Sequence, residues 1–540
     1  MFVSQATFSR ATTGSEAGRN HVEAVSRSGD GHAESSPFRI AAGLEWTPLP
    51  FRSAHGLNCN DTYCHFPLAA NQCSGSSRSL FGCSATSFER TGSMKKPNPL
   101  THFPRTNIFR PGDVFVLFGE LFDRGYATHL VDQAKKAGME IVGITVGRRD
   151  EANVLRPLND EELAAAEARL GGKIINVPIM AGFDLDAPEG EPTPTDLLAK
   201  MTLETWQDEK LDWSHIEKCR DVGVERFKNA LSEVMGILDG MIADGRNVFF
   251  AHTMAGGIPK AKVFMVIANR VYKGRGARHM SSQTLLDSDL GKLILQNFDE
   301  VSANTFRHLI DLSTAIRARI EASGGQVRYS AFGYHGTGIL VANEYRWQTY
   351  TNYTQGYAKM RLERIAEEAW NKGIKATVYN CPEIRTNSSD VFAGIELPLI
   401  PLLLALKKEG GGEWVAQQWQ ACQDLLADGF TVDDVLRKIS DMQTSEVMRP
   451  FYDFSSWPMP NNPGQSDLTI GTSSDITAMH RDGKALISDL LSRLVVEAVG
   501  QLIFGESSAP SGPVLWLNHD IVARTLIETK GSARNALEAA

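Results

Sequence analysis

The chain has 540 residues, 42% hydrophobic and 22% charged, with a net charge of -9. That length buries one large core or two modest ones, and the acidic balance argues against wholesale nucleic-acid binding. The most apolar stretch, Leu397 to Leu406, is interrupted by Pro398 and Pro401 and falls short of the roughly 18 apolar residues a membrane span requires, so none is expected.

Residues 1–93 are rich in Ser, Gly, Arg and Asn, show no sustained periodicity and carry no secretory apolar core, and are read as a disordered leader. Four of the seven cysteines (Cys59, Cys64, Cys73, Cys83) lie there at spacings that match no zinc ribbon or finger, so no metal is expected. The other three, Cys219, Cys381 and Cys422, fit a reducing cytoplasm better than a disulfide scaffold. From Met94 the sequence is orderly. A single domain is expected over residues 94–530, followed by a polar tail over 531–540.

Asp113 to Phe118, DVFVLF, is a buried strand that stops at Gly119 and gives way to a helical pattern from about Arg124 to Ala137. A strand, two glycines and an amphipathic helix open a Rossmann unit: glycine lets backbone approach a pyrophosphate, and the helix start presents unpaired N–H groups to it. Gly119 and Gly125, with Arg124 beside them, are therefore candidate cofactor contacts, although Asp123 stands where a middle glycine is usual. Turns of this kind also occur without a cofactor. The next strand, Met139 to Val146, ends in Gly147-Arg148-Arg149, where arginines accommodate a ribose 2′-phosphate. This predicts NADPH, with NADH as the alternative donor; the bland reading is a solvated pair at a strand end.

A helix is predicted over Asp160 to Leu170 and a strand over Lys173 to Ile179, after which Asp184 is a candidate acid beside the adenine. A long helix from about His215 to Asp244 precedes the strand Asn247 to Ala251, whose exit into His252-Thr253-Met254-Ala255-Gly256-Gly257 suits backbone passing close to a cofactor at Ala251. His252 is read as a hydrogen-bonded turn residue. The group Arg270, Lys273, Arg275, Arg278 and His279 is either a solvated loop or a landing patch for an acidic or phosphate-bearing partner. A helix over about Ser302 to Glu321 and a strand over Gln326 to Phe332 bearing Ser330 lead to a cluster of aromatic residues.

The stretch Tyr350 to Glu363 places Tyr350, Tyr353 and Tyr357 ahead of Lys359 in a helical run. A lysine ammonium near a phenol favours the phenolate and makes a group of pKa about 10 a usable proton or hydrogen-bond donor. Tyrosines one turn apart also line a helix face as packing. The strand Lys375 to Asn380 then continues as Cys381-Pro382-Glu383-Ile384-Arg385-Thr386. Beyond it come the apolar segment Leu397 to Leu406, a glycine run, a Pro/Gly/Ser-rich loop over about Met459 to Ser474, a long helix over Asp475 to Phe504 and a last strand over Val514 to Leu517.

The eight residues between Tyr350 and Lys359 resemble the active-site spacing of the Y-x8-K enoyl reductases, and Gly356-Tyr357-Ala358-Lys359 resembles the G-L-A-K ending of the commoner enoyl-acyl-carrier-protein reductases. From Pro97 onward the chain resembles the FabMG-type enoyl-acyl-carrier-protein reductases, longer relatives of the short-chain dehydrogenases. The Pro382 to Thr386 segment is similar to the P-G-x-x-T turn of the latter, with Glu383 in place of glycine.

The resemblance implies an α/β fold, a Rossmann-like doubly wound parallel sheet with helical insertions and a substrate lid around Leu397 to Leu406. It implies NAD(P)H-dependent reduction of trans-2-enoyl thioesters on acyl carrier protein or coenzyme A in fatty acid synthesis. Tyr350 would hydrogen-bond the thioester oxygen and Lys359 hold the nicotinamide ribose. Tyr353 or Tyr357 would align the thioester, Pro382 and Ile384 would lie against the nicotinamide, and Thr386 would meet the carboxamide or phosphates. The alternatives are a 3-oxoacyl or carbonyl reductase using Ser330 with a tyrosine and the same lysine, or a non-catalytic NADP sensor. Oligomeric state is left open.

Overall fold

A computed structural model of the chain describes residues 96–538 apart from 258, 260, 349–354 and 387–388. The leader expected over 1–93 and the candidates Tyr350 and Tyr353 lie outside the described residues.

Seven strands form one parallel sheet: β1 (Val114–Phe118), β2 (Glu140–Ile144), β3 (Lys173–Ile175), β4 (Val248–His252), β5 (Val327–Gly333), β6 (Ala376–Asn380) and β7 (Val514–Trp516). Their spatial order is β7, β6, β5, β4, β1, β2, β3. The chain winds outward from β1 to β3, returns to β4 on the other side of β1, and winds outward again. This is the doubly wound arrangement expected, and it leaves a crevice where the direction reverses, between β1 and β4.

The helices that matter below are α1 (Ala127–Lys136), α2 (Asp160–Leu170), α3 (Trp213–Met241), α4 (Gly356–Asn371) and α5 (Ile487–Ser508). A parallel sheet is covered on both faces, so its strands are near-continuous apolar runs. In β1, Phe115 and Leu117 enter the core shared with α1 and α5, while Val114, Val116 and Phe118 enter the one shared with α3 and α4. Each such side chain contributes about 1.5–3 kcal/mol by burial.

Several elements differ from expectation for local reasons. The helix expected over Ser302 to Glu321 is a π turn at Glu300–Asn304 followed by helices Thr305–Leu312 and Thr314–Ala322; at the break, the Ser313 hydroxyl donates to the Leu309 carbonyl at 2.6 Å. The loop expected around Met459 to Ser474 is largely a helix, Pro463–Ala478, because Asn462 caps it and Pro463 occupies its first turn. The long helix expected over Asp475 to Phe504 is therefore two, broken between Ala478 and Ile487. A hairpin of Thr337–Val341 and Glu344–Gln348 was unforeseen; its turn residues Ala342 and Asn343 have φ of 47° and 66°. A helix over His519–Glu538 runs into the stretch expected as a tail. Leu397, Leu399, Leu402, Leu403 and Leu406 pack into the core beside α5 and not against the cleft, which Ser389, Phe392 and Ile395 just before them help to line. No helix among the described residues is long and apolar enough to cross a membrane.

Helices α1 and α5 meet at Gly500, where a Cβ would lie 2.7 Å from the backbone carbon of His129. Gly500→Leu is expected to force the helices apart at a cost of about 1–3 kcal/mol. The shift of the urea unfolding midpoint measures it.

Candidate active site

The carboxyl ends of β4 and β5 open into a cleft lined by Tyr126, His252, Phe332, Lys359, Ile384 and Thr386, among others. Lys359 reaches it from α4, whose face of Ala358, Leu362, Ile365 and Ala366 is buried and carries Lys359 and Glu363 inward with it. The Lys359 ammonium donates to the Phe332 carbonyl near the end of β5 at 2.8 Å. Burial pulls its pKa down to about 8, opposed by the nearby Cys381 sulfur.

One turn along α4, the buried Glu363 carboxylate accepts from the Asn380 amide nitrogen at 2.8 Å and pairs with His335 Nδ1 at 3.1 Å. Asn380 Oδ1 in turn accepts from the His335 backbone N–H at 2.7 Å. His335 follows β5 and Asn380 ends β6, so one carboxylate fixes both strand ends to the helix that carries Lys359. The His335 ring is sandwiched between Phe454 and Trp457, at centroid distances of 4.4 and 3.9 Å. No sequence pattern anticipated this aromatic enclosure, whose members come from separate segments.

His252, at the end of β4, lies 2.8 Å through Nε2 from the Thr305 hydroxyl, which itself donates to the Val301 carbonyl at 2.7 Å. His252 is therefore the donor, protonated on Nε2. Burial and the Lys359 charge hold its pKa well below the ordinary value, so it is neutral. This is the hydrogen-bonded turn residue expected, now seen at the cleft wall.

The exit from β6 crosses the cleft. The Tyr126 hydroxyl donates to the Pro382 carbonyl at 2.5 Å while its ring stacks on Phe332. Glu383, standing where the resembled turn has glycine, is buried and accepts from the Tyr334 hydroxyl. Ile384 and Thr386 face the cleft, and the Thr386 N–H donates to Ser389 Oγ at 2.7 Å. Tyr126, Tyr334 and Glu383 were not singled out as site residues. Tyr126 was the most accessible to inference, since it follows Gly125 at the mouth of a cofactor helix.

A second recess flanks the end of β2 and is lined by Gly119, Glu120, Thr145, Arg148, Arg169 and Leu170 among others. Gly119 has φ of 120°, and a Cβ there would sit 2.5 Å from Thr253 Oγ1. Only glycine fits that passage. Helix α1 begins without a side-chain cap and with no acid in its first turn, leaving an electropositive end. The loop leading to it is tied by charges: Glu120 to Arg148 at 2.6 Å, Asp123 to Arg169 at 3.2 Å, and Arg124 to Asp489 of α5 at 4.0 Å. A close-approach glycine, an uncapped helix start, a recess beside the second strand and a buried lysine fit a nicotinamide dinucleotide.

The other candidates fall elsewhere. Tyr357 stands two residues before Lys359 on α4 and so projects from a different side of the helix. Ala251 is buried within β4, beside Leu117. Gly125 immediately precedes the α1 N-cap, Tyr126. Arg149 donates to the Asn153 carbonyl at 2.6 Å and lies 3.7 Å from Asp186, its side chain buried. Asp184 accepts from the Asn297 amide at 3.2 Å and is half-buried, and desolvation raises its pKa. Ser330 lies inside β5 between Ala251 and Thr377, three residues before the strand end, rather than at the cleft.

Comparison with known proteins gives a consistent result. The family described as "Enoyl-acyl carrier protein reductase FabMG" matches residues 96–526. An apo structure of FabMG, a novel type of enoyl-acyl carrier protein reductase, is 68% identical with a TM-score of 0.80, over 81% of this chain and 99% of that one. An NADH-bound structure of FabMG is 58% identical with a TM-score of 0.67, over 81% of this chain and 100% of that one. No curated protein sequence matches the chain.

The Tyr126 hydroxyl pins the turn that crosses the cleft. Tyr126→Phe is expected to cost about 0.5–1.5 kcal/mol of stability and to weaken nicotinamide-dinucleotide binding several-fold. Denaturant unfolding and cofactor titration read the two effects.

Proposed function

We propose a reaction course for a chain that belongs to the FabMG family of enoyl-acyl carrier protein reductases: reduction of the trans-2 double bond of an enoyl thioester on acyl carrier protein, with NADH as donor. The chain is an NAD(P)H-dependent oxidoreductase with a Rossmann-like fold. NADH is favoured over the NADPH expected from Arg148 and Arg149 because a 58% identical relative is an NADH-bound structure. The observation that carries the reading is the buried Lys359, whose ammonium is held at the end of β5 in the wall of the cleft.

When bound, the dihydronicotinamide would supply a hydride to the substrate β carbon; the resulting enolate, its charge on the thioester oxygen, would take a proton at the α carbon from water to give the saturated thioester. Tyr350, with eight residues between it and Lys359 in the sequence, donates a hydrogen bond to that oxygen. Lys359 stays charged below about pH 8, holds the nicotinamide ribose and supplies positive potential where the charge develops. His252 stays neutral and adds no competing charge. Ile384 and Thr386, which line the cleft, would lie against the nicotinamide ring and hold its carboxamide or phosphates, with Pro382 in the turn beside them. Tyr353 or Tyr357 aligns the thioester.

The competing 3-oxoacyl reductase reading needs a serine beside the tyrosine. It is disfavoured because Ser330 lies within the strand. The buried free thiols of Cys219, Cys381 and Cys422 fit a reducing cytoplasm.

NADH consumption with crotonyl coenzyme A and acetoacetyl coenzyme A, offered separately, tests the assignment. Turnover of the crotonyl thioester alone is expected, and turnover of the acetoacetyl thioester alone would overturn it. Tyr350→Phe and Lys359→Met should each lower kcat/KM by about 10²–10³-fold. The Lys359→Met protein should melt no lower than the parent, because a desolvated charge is replaced by an apolar chain of similar length. The ammonium is lost as pH rises through its depressed pKa, so kcat/KM of the parent should fall above about pH 8.

A further inference from the structure

We infer that Glu120 is the residue that selects a dinucleotide whose adenosine ribose carries a free 2′-hydroxyl. The inference rests on the cofactor-binding reading above and assigns its specificity to one side chain. The Gly147-Arg148-Arg149 run at the end of β2 predicts a 2′-phosphate partner, yet neither arginine is left to serve one. Arg149 is buried against the Asn153 carbonyl and Asp186, outside the recess. Arg148 does line the recess, but its Nη1 donates to Glu120 Oε1 at 2.6 Å and to the Gly147 carbonyl at 2.8 Å.

Glu120 is held there by the fold. It follows Gly119, whose backbone bridges to Ile144 at the end of β2, so the first glycine of the loop delivers the carboxylate to the second strand. The Thr145 hydroxyl donates to the same Oε1 at 3.2 Å, and the Gly147 N–H donates to the Thr145 oxygen at 3.0 Å. The pair is partly shielded, with side-chain exposures of 34% for Arg148 and 16% for Glu120. The other arginine of the recess, Arg169, is likewise engaged, by Asp123.

A 2′-phosphate entering this recess would meet a carboxylate and cations already neutralised. A 2′-hydroxyl meets an acceptor, because Thr145 and Arg148 both engage Oε1 of Glu120 and no hydrogen bond among the described residues engages Oε2. Arg148 thus acts as a positioning residue for Glu120, the reverse of the role its sequence position suggests.

Fluorescence titration of the full chain with NADH and with NADPH tests this without turnover. The parent should bind NADH at least about tenfold more tightly. Glu120→Gln, which keeps the shape and removes the charge, should narrow that ratio by about tenfold or more, chiefly by tightening NADPH, and adding Arg148→Ala should abolish the gain. A parent ratio near one, or a ratio unmoved in Glu120→Gln, would overturn the inference. Crotonyl coenzyme A turnover measured alongside separates the two readings. Selection of NADH without enoyl reduction overturns the reaction and leaves Glu120 its role; enoyl reduction with equal use of both cofactors does the opposite.

Discussion

The buried carboxylate of Glu363 is the constraint on which the cleft depends. A carboxylate taken out of water is costly unless paired and hydrogen-bonded, and here the only groups that satisfy it are the His335 ring and the Asn380 amide among the described residues. Those partners stand at the ends of two neighbouring strands. The electrostatic demand of one side chain therefore aligns the exits of β5 and β6 with helix α4, and Lys359 comes to the cleft because it lies one turn from Glu363. The flat aromatic neighbours of His335 leave its ring little room to rotate away.

The same economy governs charge inside the cleft. Two groups at its wall could carry a proton at neutral pH, Lys359 and His252. They sit close enough for the lysine to depress the histidine, and burial depresses both. Lysine starts from a pKa several units higher, so it alone remains cationic. One localised positive charge in a low-dielectric cleft is what an anionic transition state can use; two would compete for it and repel each other.

The sheet was legible because its signals are local and redundant: an apolar run ending in glycine at Phe118-Gly119, arginines closing the second strand, a Pro-bearing exit at Cys381-Pro382. Lys359 was legible for the same reason, through its spacing in the sequence from Tyr350 within a stretch of helical pattern. What escaped the sequence depends on residues distant in the chain. Glu120 looked like an unremarkable loop acid, since nothing local says that Arg148, 28 residues later, will be folded onto it. Asn462 and Pro463 do carry a helix-start signal, but it was hidden among the Pro, Gly and Ser that otherwise mark loops. The apolar Leu397 to Leu406 reads equally as a covering flap or as core, and only the packing beside α5 distinguishes them.

The loop between β1 and α1 has one further consequence. In a glycine-rich version, backbone sterics alone set the path, and those are indifferent to the medium. Here the path past Gly119 is held by ion pairs from Glu120, Asp123 and Arg124, the last two reaching partners through largely exposed side chains. Exposed pairs contribute little and are screened within about 10 Å at 0.1 M salt. Ionic strength thereby becomes a structural variable of the cofactor loop: the medium's salt content sets how firmly the segment is tethered, while the sheet beneath it, held by burial, is unaffected.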